Sequence, residues 1–239
     1  MSQQLYLEWN VIYDKYFPKQ AGLKIIELGS APGLNLIRQH RTFGYEPFGV
    51  EYTDAGTQIN RTVFRNNGID PNNVIQADAF SEEFLTTYGE KFDLVISRGF
   101  IEHFTEMDKV IDAHLALLKE NGLLMISIPR IRAVPWLLFK FFNPTSIPLH
   151  NLAIMNKQPF QALFQHKGLQ ELYCRYHGTL KVQVCSELNV KGSKLSLLHL
   201  MMDAQSIVYI LFRLVLGRRG FETYLFSPFL MYIGKKKST

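Results

Sequence analysis

Between residue 22 and about residue 128, short apolar runs alternate with stretches of helical period. That rhythm predicts βαβ units and a parallel sheet. Strands are predicted at Leu23–Leu28, Pro47–Glu51, Asn73–Gln76, Phe92–Ser97 and Gly122–Ile128. Helices are predicted at Gly33–His40, Asp54–Asn67 and Met107–Leu118, the last stopped by Asn121-Gly122. Ahead of them, LYLEWNVIYDKYF places Leu7, Val11, Tyr13 and Phe17 on one face of a covering helix within residues 1–20. After Pro129 the rhythm changes. Ala133–Phe142 is apolar and aromatic, and Asn143–Leu149, with two prolines, reads as a loop. A helix at Asn156–His166, a sixth strand at Leu169–Tyr176 and a last strand at Phe226–Ile233 follow. Between those strands, Val184–Thr223 has no βαβ character.

At 239 residues, 47% of them hydrophobic, the chain can bury the core of one globular domain. Its boundaries are a helix at 1–20, a core at 21–130, an elaboration at 131–225 holding an apolar insertion at 184–223, and a final strand at 226–235. Cys174 and Cys185 suit neither a disulfide framework nor a zinc site, which favours reduced thiols in a cytoplasmic protein. MSQQLYLEWN lacks the basic and apolar regions of a signal peptide.

Charge is uneven. Residues 200–239 hold Arg213, Arg218, Arg219 and Lys235 to Lys237 against Asp203 and Glu222, a net +4 of the chain's +5. A basic end suits an anionic neighbour such as a membrane face or nucleic acid, or is a solvated tail. Leu197–Leu216 is long enough to cross a bilayer. Asp203, Gln205 and Arg213 within it make crossing costly. An interfacial helix over 197–219, peripheral at the inner face of a membrane, is one reading. A buried cap over the acceptor site, or a homodimer surface, is the other.

The densest motif is Ile25-Ile26-Glu27-Leu28-Gly29-Ser30-Ala31-Pro32-Gly33. An apolar strand ends in an acid, and a turn of small residues opens a helix whose free N–H groups face a ligand. Glycine at Gly29 permits positive φ and close backbone approach. Glu51, at the end of the second strand, can accept both hydroxyls of a ribose. Asp78, in Gln76-Ala77-Asp78-Ala79, follows the third strand, where an acid can meet an adenine amino group. Together the three acids outline one crevice at the carboxyl ends of adjacent strands.

These residues resemble the class I methyltransferases that use S-adenosylmethionine (SAM), over about residues 20–130. The resemblance implies an α/β fold: a Rossmann-like three-layer αβα sandwich, its mostly parallel seven-stranded sheet closed by an antiparallel last strand with a helical insertion before it. It implies SAM as cofactor and S-adenosylhomocysteine as product. Glu27, Gly29, Ser30, Ala31 and Gly33 would take the methionine end, Glu51 and Tyr52 the ribose, and Asp78 and Ala79 the adenine. Ser97 and Arg98 end the fourth strand beside the sulfonium, and Arg98 would lean over the cofactor or hold an anionic substrate. The sequence departs from the family at Ala31, the middle glycine of GxGxG, and at Gly99, the first acid of the Glu-x-x-Glu-His pattern of some quinone-biosynthesis methyltransferases. With that acid replaced, no metal is expected.

An oxygen or nitrogen acceptor must lose a proton, a task suited to histidine. His103, in Glu102-His103-Phe104 after the fourth strand, is the first candidate base, or a residue that only packs or caps. His150, beside Asn151, is the second, or a polar loop residue. Nucleic-acid acceptors fit less well: SRGF stands where amino-group DNA enzymes carry their proline motif, and both cysteines come too late for cytosine C5 chemistry. GSAPG resembles the ribose 2′-O RNA enzymes, yet Arg98 stands where those carry an acid. The expected acceptor is an oxygen or nitrogen of a small molecule, sugar or lipid-linked glycan, the last from a loose similarity of the IPRIRAVP…IPLHNLAIM region to glycan-pathway methyltransferases. Two other classes remain. One is a non-catalytic SAM-binding or partner-binding module. The other is an NAD(P)-dependent oxidoreductase, which shares Gly29, Gly33 and Glu51 but leaves Asp78 unexplained.

Overall fold

A computed structural model describes residues 3–179, 181–182, 190–216 and 222–238. Cys185, the Gly217-Arg218-Arg219 run and parts of the 184–223 insertion lie outside the described residues. Seven strands form one sheet: β1 (Lys24–Leu28), β2 (Glu46–Glu51), β3 (Val74–Gln76), β4 (Phe92–Arg98), β5 (Leu118–Pro129), β6 (Leu169–His177) and β7 (Phe229–Lys236). Their order is β3-β2-β1-β4-β5-β7-β6, a mixed sheet with helices around it, as the resemblance implied. The first five strands are parallel, with Leu28 opposite both Val50 and Ser97, and Arg98 opposite Ser127. The order reverses between β1 and β4, the point where parallel sheets open a crevice for ligands.

Eight α-helices accompany the sheet among the described residues: α1 (Gln3–Tyr16), α2 (Leu34–Phe43), α3 (Asp54–Asn66), α4 (Glu82–Tyr88), α5 (Met107–Leu117), α6 (Ala133–Phe142), α7 (Lys157–Ala162) and α8 (Ser193–Leu216).

The chain divides into two compact units. One comprises Pro18–Ser127, Gln161–Tyr173 and Tyr232–Thr239. Its parallel strands are covered on both faces, so they read as unbroken apolar runs. Ile25, Ile26, Leu28, Leu94, Val95 and Ile96 are all fully buried, each contributing about 1.5–3 kcal/mol of transfer free energy. Phe164 stacks on Tyr232 with ring centres 3.6 Å apart. The other unit comprises Met1–Phe17, Ile128–Phe160 and Cys174–Met231. Its anchor is Trp9, whose ring lies 5.1 Å from that of His177 and 5.8 Å from that of Phe229.

Several boundaries differ from expectation, each for a local reason. The buried face of α1 runs through Trp9, Ile12 and Tyr13 and continues to Phe17 just beyond its end, Val11 is only half-buried, and the Leu7 side chain lies outside what is described. The 3.6-residue period favours that row once Trp9 supplies the largest apolar area. Asn121-Gly122 does not stop α5. The helix ends at Leu117, and Asn121, at φ 60°, sits inside β5 where the pairing with β4 shifts register between Phe92 and Leu94. Helix α4 carries only Phe84 as a buried residue, too little apolar period to be seen in the sequence, yet Ser81 caps it by accepting the Phe84 N–H at 3.2 Å. Pro144–Leu149 is a short 3₁₀ turn rather than open loop, and β7 starts at Phe229 because the preceding residues form a turn closed by the Ser227 N–H on the Thr223 carbonyl.

Candidate active site

The turn between β1 and α2 is shaped by its glycines. Gly29 sits at φ 67°, and a Cβ there would come 2.7 Å from the Phe100 ring. Gly33, the N-cap of α2, sits at φ 86°, and a Cβ there would come 2.1 Å from Asn60 Oδ1. Both positions therefore exclude side chains on conformational and steric grounds. The turn is tied to β2, since the N–H groups of Gly29 and Ser30 both donate to the Val50 carbonyl, at 3.0 and 3.2 Å. Buried Ser30 accepts the Asn60 amide through its Oγ.

Three carboxylates stand at the ends of β1, β2 and β3. Glu27 is buried; Arg98 Nε donates to its Oε1 at 3.0 Å and Asn35 Nδ2 to its Oε2 at 3.3 Å. Glu51 accepts the Ala31 N–H through Oε1. Burial pushes its carboxyl above the ordinary range, the Ala31 N–H pulls back, and the Glu27 charge adds a small push upward. Asp78 is exposed and closes its own turn, accepting the Phe80 N–H at 2.9 Å, with Ala79 buried behind it. The Ala77 N–H donates to the Glu51 carbonyl at 3.0 Å, so the β3 loop is fastened beside β2. Tyr52 is 75% exposed at the edge of this group.

After β4 come three aromatic rings: Phe104 lies 5.0 Å from both Phe80 and Phe100. His103, in a single 3₁₀ turn at Ile101–His103 rather than at the start of a long helix, is half exposed. It helps line a cavity of about 290 Å³ with Phe80, Phe104, Glu106 and Lys109. Glu102 beside it is almost wholly buried, its Oε1 3.9 Å from His103 Nε2 and its Oε2 without a hydrogen-bond partner among the described residues. Burial pushes its carboxyl up to about 8, so at neutral pH it is largely protonated.

Beneath Arg98, Ser97 is fully buried and its Oγ lies 3.0 Å from His114 Nε2. His114 Nδ1 lies 2.7 Å from the Val110 carbonyl. A carbonyl only accepts, so Nδ1 carries the proton and Nε2 accepts from Ser97. Burial lowers the His114 pKa to about 4 and keeps the ring neutral.

The structure thus gathers Glu27, Gly29, Ser30, Ala31, Gly33, Glu51, Asp78, Ala79, Ser97, Arg98 and His103 in one unit, along the carboxyl ends of four parallel strands. His150 belongs to the other unit, where its Nδ1 lies 2.7 Å from the Ser146 carbonyl. Sequence reasoning missed Asn35, Asn60 and His114, polar residues on the buried faces of α2, α3 and α5. His114 carried a faint signal, standing four residues after Val110 and three before Leu117 on an otherwise apolar stripe.

The residues fit a SAM-sized nucleoside with an amino-acid tail. The glycine turn leaves the backbone bare, and acids of the types that accept hydroxyl and amino groups stand at three successive strand ends. Comparison with known proteins agrees. Residues 2–173 match the family described as "Methyltransferase domain". A ubiquinone biosynthesis O-methyltransferase of Bartonella bacilliformis is 29% identical over 107 residues, 45% of this chain and 41% of the relative. One of the same name from a Chelativorans species is 26% identical over 106 residues, 44% of this chain and 40% of the relative. The chain spans only about two fifths of the length of these relatives. A SAM-dependent methyltransferase structure from Archaeoglobus fulgidus superposes with a TM-score of 0.61 at 15% identity, covering 98% of this chain and 95% of that one. A geranyl diphosphate methyltransferase in complex with SAM superposes with a TM-score of 0.64 at 12% identity, covering 98% and 85%. The chain belongs to the methyltransferase-domain family, within the class I SAM-dependent methyltransferases.

Proposed function

We propose that this chain methylates a hydroxyl oxygen of a small molecule. The observation that carries the reading is the row of acids at the ends of β1, β2 and β3 around the Gly29–Gly33 turn, followed at the end of β4 by a histidine beside a cavity. Oxygen is favoured over nitrogen by the O-methyltransferase relatives and by the Glu102-His103 pair, which suits removal of a hydroxyl proton. When bound, SAM supplies an electrophilic methyl group on a sulfonium, so the protein's main task is alignment. Glu27 and the turn hold the amino-acid end, Glu51 and Tyr52 the ribose, and Asp78 and Ala79 the adenine. Arg98 fixes the Glu27 carboxylate, and Ser97 is fixed in turn by His114. His103 takes the acceptor's proton; His150 is the alternative base.

The test is transfer of radiolabelled methyl from SAM to a panel of phenols, catechols and sugars. Activity on a hydroxyl acceptor that falls about 10²-fold or more in His103→Gln, with His150→Gln near wild type, supports the assignment. Equal activity of His103→Gln and wild type refutes it. A rate rising with pH through about 8 in wild type, and flat there in Glu102→Gln, is expected from the Glu102 carboxyl.

Peripheral lipid contact through 197–219 is also proposed. Among the described residues no helix is long and apolar enough to cross a membrane. On α8, Leu197, Leu200 and Ile207 are exposed at 40%, 65% and 63%, and their spacing puts them on one helix face. Flotation with anionic vesicles that is lost in Leu200→Glu is expected; no flotation of the intact chain, or its dimerisation through this face, contradicts lipid contact.

A further inference from the structure

Arg130 follows β5 directly and is fully buried, among the largest side chains to be so. Its Cζ lies 4.9 Å from the centre of the Tyr176 ring and 4.6 Å from that of Tyr224. The two rings stand at 76° to each other, so the guanidinium occupies an aromatic notch, with half-exposed Tyr224 as its more open wall. Ring faces offset part of a cation's desolvation. The N–H groups are served poorly. Nη1 reaches the carbonyls of Arg132 and Ser227 only at 3.5 Å each, while Nε and Nη2 have no acceptor among the described residues. Glu222, in the segment leading to Tyr224, accepts the Gly178 N–H at 3.4 Å through Oε1, which lies 3.1 Å from His177 Nδ1 without hydrogen-bond geometry. A second cation stands two residues on, where Arg132 Nη2 donates to the Leu152 carbonyl at 2.7 Å and its Nε is likewise buried without an acceptor among the described residues.

Burial pushes the Arg130 pKa down, Tyr176 and Tyr224 push it back up and Arg132 lowers it slightly, and a guanidinium stays charged in proteins. A buried cation with open donors destabilises a fold, and an apolar side chain of similar length often serves stability better. Stability alone therefore gives no reason for arginine here. Nε and Nη2 lie on one edge of the guanidinium, the pair that grips two oxygens of a carboxylate or phosphate side-on.

We infer that Arg130, held in the Tyr176–Tyr224 notch, is the anchor of an oxyanion site that takes a carboxylate or phosphate group of the ligand received by this unit. Half-exposed Tyr224 is the wall of the notch nearest solvent.

The test uses thermal unfolding of the full chain with phenyl phosphate, benzoate or uncharged benzamide, ionic strength being held constant with sodium chloride. At tenfold excess over Kd, a bound anion is expected to raise the midpoint by about 2–4 °C, with no rise from benzamide. The larger of the two shifts identifies the group as phosphate or carboxylate. Arg130→Met is expected to lose the response while its unliganded midpoint stays equal to wild type or rises. Arg130→Lys, which keeps the charge but not the two-pronged edge, is expected to bind the anion about tenfold more weakly and serves should Arg130→Met not fold. No shift from either anion in wild type, or an undiminished shift in the variants, overturns the inference. Titration of the same samples with S-adenosylhomocysteine separates this failure from the other. Product binding without anion response removes only the oxyanion site, and anion response without product binding removes only the methyltransferase reading.

Discussion

Gly33 is where conformation and packing agree most narrowly. Its φ of 86° and the proximity of Asn60 Oδ1 leave no room for a methyl group. Gly33→Ala is expected to lose about 2 kcal/mol of stability, read by urea unfolding; a loss below ~0.5 kcal/mol contradicts the tight approach. Glu102 gives a second residue-level test. Its carboxyl titrates near 8 in the fold and near 4.5 when unfolded, so between those pH values the folded state binds the extra proton. Wild-type stability therefore falls as pH rises from about 4.5 to 8, relative to Glu102→Gln, in which that slope is absent. Parallel pH–stability curves for the two proteins would contradict the burial of this carboxyl. His114 acts in the opposite sense. Its ring is held neutral down to about 4, so its contribution is present above 6.5 and is lost as pH falls from there toward 4. Of these three only Gly33 was legible in the sequence. Glycine advertises its conformation, whereas the titration of Glu102 and His114 depends on which side chains cover them.

Elements were legible where one face is continuously apolar. β1, β2 and β4 fell within one residue of expectation because both faces of each strand are buried. Helix α4 escaped notice because its period is weak, and its cap is what fixes it. Ser81→Ala is expected to cost about 1 kcal/mol, detectable as a lowered unfolding midpoint with product binding unchanged; an unaltered midpoint would mean that the Ser81–Phe84 bond contributes nothing. Asn121-Gly122 misled for a physical reason. Asparagine and glycine adopt left-handed backbone equally well at a helix end and at an irregularity in a strand. Only the pairing of Leu118 with Phe92 and of Leu123 with Leu94 shows which of the two it is.

At the scale of the whole molecule, the strand order β3-β2-β1-β4-β5-β7-β6 brings residues 27, 51, 78 and 98 to one edge of the sheet, though they are spread over 71 positions of sequence. That convergence was legible, because each acid closes a predicted strand and parallel topology collects strand ends. The aromatic notch around Arg130 was not legible. It joins residues 130, 176 and 224, and no local pattern links them. The central claim, that the crevice receives SAM, is tested most directly by calorimetric titration with S-adenosylhomocysteine, with NAD as the control ligand, on wild type and Asp78→Ala. Micromolar binding of the homocysteine nucleoside by wild type is expected, about tenfold weaker in Asp78→Ala, the ~1.4 kcal/mol of one good polar contact, with no competing affinity for NAD. Preference for NAD, or no binding of the nucleoside, would contradict it.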